Sequence, residues 1–150
     1  MTKTQTICIV DDEAAIRETL ENVLSDEGYP VMSCKDSIHF FAELEQQTPD
    51  LVLLDIWLPG IDGMAILSKL RETHPELPVI MMSGHAGIDA ALNAIKLGAV
   101  DFMEKPLRLE ILLDKIAVVL SNKPPERIKD LASDTRMEVA KIINPIIPSG

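Results

Sequence analysis

Four polar sites in this chain stand at the ends of apolar runs, where acids and a lysine are awkward for stability and useful for chemistry. Asp11 and Asp12 follow ICIV, Asp55 follows LVLL, Ser83 follows VIMM, and Lys105-Pro106 comes just after the apolar segment around Phe102. Burying a charge is costly unless it is paired. Three acids, a hydroxyl and a lysine gathered at one edge make a site for a divalent cation and a phosphoryl group. Asp55 is the candidate nucleophile, because a carboxylate oxygen can attack phosphorus and hold the group as an acyl phosphate. Such transfer asks the protein mainly for in-line positioning and positive charge around the phosphoryl oxygens. Hard carboxylate oxygens suit Mg²⁺, with Asp12 and Asp55 as direct ligands and Asp11 acting through water. Lys105 supplies a mobile point charge and Ser83 a hydroxyl donor. Without a cation the three acids repel one another, which raises some of their pKa values.

Each site taken singly also has a purely structural reading. Asp-Asp after a strand commonly caps the next helix. Asp55 before Leu58-Pro59-Gly60 and Ser83 before Gly84 can be turn residues, and Lys105-Pro106 a surface loop. What favours chemistry is their coincidence at successive strand ends.

The elements that must bring these residues together are legible as an alternation. Strand candidates are Thr6–Val10, Pro30–Cys34, Asp50–Leu54, Pro78–Met82 and Ala99–Met103. Between them lie helical patterns: a stripe of Leu20, Val23 and Leu24 stopped at Gly28; Phe40, Phe41 and Leu44 behind the capping candidate Ser37; Met64 to about Thr73, closed by His74-Pro75; Gly87–Leu97, ended by Gly98; and Leu109–Leu120. Such βα repetition predicts an α/β fold, a doubly wound five-stranded parallel sheet of the flavodoxin-like (βα)5 kind. In such sheets ligands bind at the carboxyl ends of the strands, near the point where strand order reverses. Asp11, Asp12, Asp55, Ser83 and Lys105 all fall at those ends.

At 150 residues the chain suits one domain with a short appendage. The break at Ser121-Asn122-Lys123-Pro124-Pro125 sets the boundary, with a domain over 1–121 and an extension over 122–150 whose apolar spacing predicts one helix over about 126–143. The net charge of −10 argues against a nucleic-acid surface, since phosphate binding needs clustered Lys and Arg. That acidity is concentrated before residue 121. Cys8 and Cys34 each sit within an apolar run and read as buried reduced thiols. No apolar stretch has the length of a membrane span, and the N-terminus lacks signal-peptide anatomy, so a cytoplasmic location is expected.

Put together, IVDDE at 9–13, LVLLDIWLPGIDGM at 51–64, VIMMSGHA at 79–86 and DFMEKPL at 101–107 resemble the receiver domain of bacterial two-component response regulators. The resemblance covers about residues 5–120. SGHAGIDAALNAIKLGAVDFMEKPL is most similar to receivers of the NtrC type, which precede ATPase and DNA-binding domains in enhancer-binding transcription activators. The resemblance implies that Asp55 is the phosphoacceptor for a phosphohistidine on a sensor histidine kinase. It implies that Asp11, Asp12, Asp55 and the backbone carbonyl of Trp57 hold Mg²⁺. Ser83 and Lys105 then read the phosphoryl group, Pro106 matches the family's proline, and Phe102 takes the switch-aromatic position. The implied output is a changed surface on the fourth helix, last strand and fifth helix, which controls transcription; that surface or the tail helix is also a candidate homodimer contact. A stand-alone receiver acting by protein contact is the alternative.

Two further positions are candidates for tuning. Trp57 lies two residues after Asp55, and His85 two after Ser83, so both should border the path of an attacking water. A bulky Trp57 that shields an acyl phosphate would slow self-dephosphorylation; a partly buried packing role is the other reading, and for His85 an ordinary loop role. Ala15, Ile16 and Thr19 on the first helix are candidates for the kinase docking face, although Ile16 also fits the buried stripe. Among rival functions, aspartyl-phosphate phosphatases usually carry a second Asp two residues after the nucleophile, where this chain has Trp57, which transfers no proton. A flavin carrier wants a Ser/Thr/Gly-rich loop after the first strand, where Asp11-Asp12-Glu13 would repel the flavin phosphate. The chain is therefore read as a switch and not as a metabolic enzyme.

Overall fold

The computed structural model of the chain describes residues 4–84 and 87–121. Strands and helices alternate throughout: β1 (Ile7–Val10), α1 (Ala14–Asp26), β2 (Val31–Cys34), α2 (Ser37–Gln46), β3 (Leu51–Asp55), α3 (Gly63–Thr73), β4 (Val79–Ser83), α4 (Ile88–Lys96), β5 (Asp101–Glu104) and α5 (Leu109–Ser121). The five strands form one parallel sheet in the order β2-β1-β3-β4-β5. This is the doubly wound, flavodoxin-like arrangement that the alternation predicts. The helix expected over about 126–143 and the rest of the 122–150 extension lie outside the described residues.

Sequence pattern and burial agree strand by strand. The apolar runs of β1, β3 and β4 are buried from end to end, whereas β2 and β5, at the two edges, are partly exposed. Side chains alternate across a strand, so each central run feeds two core layers. Cys8, Val10, Val52, Leu54, Val79 and Met81 pack with Phe40 of α2 and Ile66, Leu67 and Leu70 of α3. Ile7, Ile9, Leu51, Leu53, Ile80 and Met82 pack with Leu20 and Leu24 of α1 and Leu112 and Ile116 of α5. Cys8 and Cys34 are buried free thiols with their sulfurs 4.0 Å apart. No helix among the described residues is long and apolar enough to cross a membrane.

Small departures from the expected boundaries have local causes. β3 and β4 each run one residue further than their apolar text, because Asp55 pairs with Met82 and Ser83 with Glu104 in the ladder. The cap of α2 is Asp36 and not Ser37: its carboxylate accepts the His39 amide at 2.8 Å, and Ser37 becomes the first helical residue. β5 starts at Asp101 rather than Ala99, whose amide instead closes α4 by bonding to Ala94 O at 3.0 Å. Gly98 makes that turn at φ +106°, and the Arg71 side chain occupies the space a Cβ would need.

Chain direction places the site. After β1 the chain winds outward to β2, then crosses back to β3, so strand order reverses between β1 and β3. Asp11 follows β1 and Asp55 ends β3, on either side of that crevice. The connection after Asp55 is tight. Gly63 N bonds to Ile56 O at 2.7 Å, and a Cβ on Gly63 would lie 2.3 Å from Asp55 O and 2.8 Å from Ile56 Cα. Both are backbone atoms that cannot swing aside, so Gly63→Ala should force α3 away from the end of β3. The expected loss is about 2 kcal/mol, read as a lower urea midpoint with an unchanged slope; an unshifted midpoint would contradict this account of the contact.

Candidate functional site

The site is assembled from backbone turns that leave four strand ends side by side. Asp11 continues the β1 ladder by donating its amide to Cys34 O at 3.1 Å, and its side chain is fully buried. Its Oδ1 accepts the Glu13 amide at 2.9 Å, which shapes the turn into α1. The cap of α1 is Glu13, with no side-chain cap bond, so the structural reading of Asp11-Asp12 as simple helix caps does not hold. Asp12 points to solvent, beside an open groove of about 550 Å³ lined by Lys35, Asp36, Ile38 and Pro59 to Ile61. Asp55 is only 3% exposed and its Oδ1 lies 3.4 Å from the Trp57 amide. Ser83 is buried at the end of β4. Lys105 is docked there by its backbone, which donates to Ser83 O at 2.8 Å.

From that anchor the lysine reaches back over the acids. Its Nζ lies 2.8 Å from Asp11 Oδ2, 3.0 Å from Glu13 Oε1 and 3.5 Å from Asp55 Oδ2. Oxygens of Asp11, Asp12 and Asp55 all fall within 4.8 Å of one another. One lysine does not neutralise this set. Burial, reinforced by the charge of Asp11, pushes the Asp55 carboxyl up to about 6, against the opposing pull of Lys105 and the Trp57 amide. Burial also disfavours the Lys105 ammonium, but its close ion pairs with Asp11 and Glu13 and the charge of Asp55 outweigh that and hold it above the ordinary lysine range. Asp11 Oδ2 is buried and, despite the nearby ammonium, takes no hydrogen bond of good geometry.

A buried carboxylate oxygen with spare capacity, two more carboxylates close by and an open approach at Asp12 fit a hard divalent cation. Asp11, Asp12 and Asp55 are the residues that can hold it. The same geometry sets the Asp55 carboxylate 3.5 Å from the Lys105 ammonium, where it could act as a nucleophile toward a charged group.

The remaining expected positions divide. Trp57 is 59% exposed, so it is a surface residue beside Asp55 and not the partly buried packing residue that was its alternative reading. Phe102 is half-buried against the layer beneath α2 and α3. Ala15 and Thr19 are exposed on α1, while Ile16 is half-buried against the α1–α5 layer, which supports its core reading. His85 lies outside the described residues. Sequence reasoning missed two participants. Glu13 pairs with Lys105, and Arg17 donates from Nη1 to Asp11 O at 2.8 Å. One signal was available: Arg17 stands four residues after Glu13, one helical turn further on, and so returns to the same loop.

Comparison with known proteins bears directly on this arrangement. The response regulator receiver domain model matches residues 7–117. The nitrogen assimilation regulatory protein NtrX of Azorhizobium caulinodans is 44% identical over 109 residues, which are 71% of this chain and 24% of that protein. The DNA-binding transcriptional regulator NtrC of Escherichia coli is 38% identical over 104 residues, 69% of this chain and 22% of that protein. The chain thus spans about a quarter of the length of these relatives. The crystal structure of the NtrX receiver domain from Brucella abortus is similar at a TM-score of 0.74 and 42% identity, over 77% of this chain and 98% of that one. The beryllofluoride-activated NtrC4 receiver domain dimer is similar at a TM-score of 0.76 and 31% identity, over 79% of this chain and 98% of that one.

The raised Asp55 carboxyl has a consequence for stability. Its pKa is higher in the folded chain than in the unfolded one, so the folded state binds the proton more tightly and loses stability as pH rises from about 4 through about 6. Asp55→Asn removes that charge. It should stabilise the cation-free protein at pH 8 by up to about 3 kcal/mol, with the gap closing below pH 4 and shrinking when magnesium is added. Urea denaturation of both proteins between pH 4 and pH 8 measures this, and a gap independent of pH would contradict it.

Proposed function

The chain belongs to the response regulator receiver domain family, of the NtrC/NtrX type, and from that premise we propose that it is a phosphorylation-activated switch whose phosphoacceptor is Asp55. The observation that supports this most directly is the Lys105 ammonium set between the buried carboxylates of Asp11 and Asp55 at the reversal of strand order. The donor is a phosphohistidine on a sensor histidine kinase. An Asp55 carboxylate oxygen attacks phosphorus, the P–N bond breaks with its electron pair going to the imidazole, and the ring takes a proton from water. An acyl phosphate remains on Asp55. Lys105 offsets the charge gained at the phosphoryl oxygens, and the Ser83 hydroxyl donates to one of them. Asp11, Asp12, Asp55 and the Trp57 carbonyl would hold Mg²⁺, which would supply charge neutralisation at the transferring group.

Phosphorylation is read out on a surface that is already apolar. Ile88, Leu92 and Ile95 on α4, Val100 before β5, and Ile111 and Val118 on α5 are all exposed large hydrophobic residues. Exposed apolar side chains of this size suit burial against protein. Phe102 sits between this surface and Lys105 in the chain, where its movement can couple the two. A receiver homodimer or a downstream domain is the partner that this face fits, and the dimeric NtrC4 receiver is consistent with the first. The similarity to NtrC, a DNA-binding transcriptional regulator, and to NtrX supports an output in transcription. Its own acidity leaves this segment without a nucleic-acid surface, and its action is cytoplasmic. Ala15 and Thr19, exposed on α1 beside the acids, are the proposed kinase contact. The reading is of a switch and not of a metabolic enzyme; Trp57 in place of a second acid disfavours a hydrolase.

Incubation with acetyl phosphate and Mg²⁺ should give one stable phosphoryl adduct by mass spectrometry, on Asp55 and absent from Asp55→Asn. Rapid turnover without an adduct would favour a phosphatase, and no reaction would sink the reading. Trp57, exposed beside Asp55, restricts the water approach, so Trp57→Asn should shorten the lifetime of the adduct several-fold. An unchanged lifetime would remove Trp57 from the mechanism while leaving the switch intact.

A further inference from the structure

The lysine that serves Asp55 is shared with a residue outside the three-acid cluster. Of its three carboxylate contacts, the shortest is to Asp11 Oδ2 at 2.8 Å, but that atom takes no hydrogen bond. The contact to Asp55 is longest, at 3.5 Å. The one with hydrogen-bond geometry is to Glu13 Oε1 at 3.0 Å. The Lys105 ammonium is thus shared between Asp11 and Glu13 and lies farther from Asp55. Glu13 is well placed to hold it there. Its amide is tied to Asp11 Oδ1, and as the cap of α1 its side chain makes no cap bond, which leaves the carboxylate available to the lysine.

We propose that Glu13 is a positioning residue that holds Lys105 toward the β1–α1 loop in the resting domain and must give it up before the ammonium can serve a phosphoryl group on Asp55. The inference rests on the phosphoacceptor reading of Asp55. Its physical content is a competition between two anions for one cation. A phosphoryl group on Asp55 brings oxygens toward Lys105, and closing the 3.5 Å gap takes Nζ away from Glu13. The Glu13 side chain is 59% exposed. Its hold is therefore that of a solvent-screened ion pair, strong enough to bias the lysine and weak enough to be released.

Beryllofluoride binding at saturating Mg²⁺ tests this, followed by the fluorescence of Trp57, the single tryptophan of the chain and exposed beside the site. Glu13→Ala should bind beryllofluoride about two- to five-fold more tightly than the natural protein. Glu13→Gln, which can still accept a hydrogen bond but carries no charge, should fall between them. Mg²⁺ alone, titrated the same way, should bind no more tightly to Glu13→Ala, since a negative charge has been removed; a merely structural perturbation would weaken both ligands. In a Lys105→Met background the gain from Glu13→Ala should vanish. Simple repulsion between Glu13 and the bound anion would survive the loss of the lysine, so a gain that persists in Lys105→Met overturns the proposal. An unchanged affinity in Glu13→Ala overturns it too and leaves the phosphoacceptor reading standing. Failure of the natural protein to bind beryllofluoride at all would overturn both.

Discussion

The arrangement turns on two carboxylates, Asp11 and Asp55, held almost entirely out of water at the ends of adjacent central strands with one lysine between them. A fold optimised for stability alone would end β1 and β3 in apolar or small residues, because unpaired charge in the interior is expensive. Here the compensation is partial. Asp11 Oδ2 has an ammonium beside it but no hydrogen bond of good geometry, and the Asp55 carboxyl is pushed up to about 6 by burial and by its acidic neighbour. The same imbalance explains why the three acids suit a divalent cation and why positive charge arriving at this edge lowers the energy of the whole cluster.

Everything around the cluster is organised to keep it in place. The sheet holds the strand ends by ladder bonds that reach the functional residues themselves, Asp55 opposite Met82 and Ser83 opposite Glu104. Gly63 lets the loop over 56–62 fold back so that the start of α3 lies against the backbone of Asp55 and Ile56. Lys105 is fixed at its amide by Ser83 O, and its ammonium is shared among the carboxylates of Asp11, Glu13 and Asp55. A carboxylate fixed by its strand beside a cation fixed at its backbone is the division of labour that the proposed phosphoryl transfer would need.

Much of this was legible from the sequence, and the parts that were not share a cause. Apolar runs followed by acids located Asp11, Asp12, Asp55 and Ser83 at strand ends, since burial and period are written residue by residue. Lys105 was placed correctly because β5 carries the same signal. Glu13 was not singled out, although it stands next to Asp12, because its contact with Lys105 spans 92 positions and depends on where a flexible side chain points. The cap of α2 fell on Asp36 instead of Ser37 for a related reason: both are good caps, and the choice rests on backbone geometry that neighbouring text does not reveal. Ile16 had two readings because its spacing satisfies both faces of α1, and contact with the core decides between them.

Packing also explains why a change at the acids should be felt on one side of the molecule. α3 buries Gly63, Ile66, Leu67 and Leu70, and α5 buries Leu112, Ile116 and Leu120, whereas α4 buries Ala94 alone. Each buried large aliphatic side chain contributes about 1.5–3 kcal/mol, so α4 is held far less firmly than its neighbours, and its Ile88, Leu92 and Ile95 face solvent. A weakly seated helix with an apolar outer face is the kind of element that can adjust to a partner at small cost. Lys105 leads directly back into β5, which is hydrogen-bonded to β4 and packed beside α4. The proposed signal therefore need not cross the tightly packed α1 and α3 flanks, where moving a helix would expose several buried side chains at once.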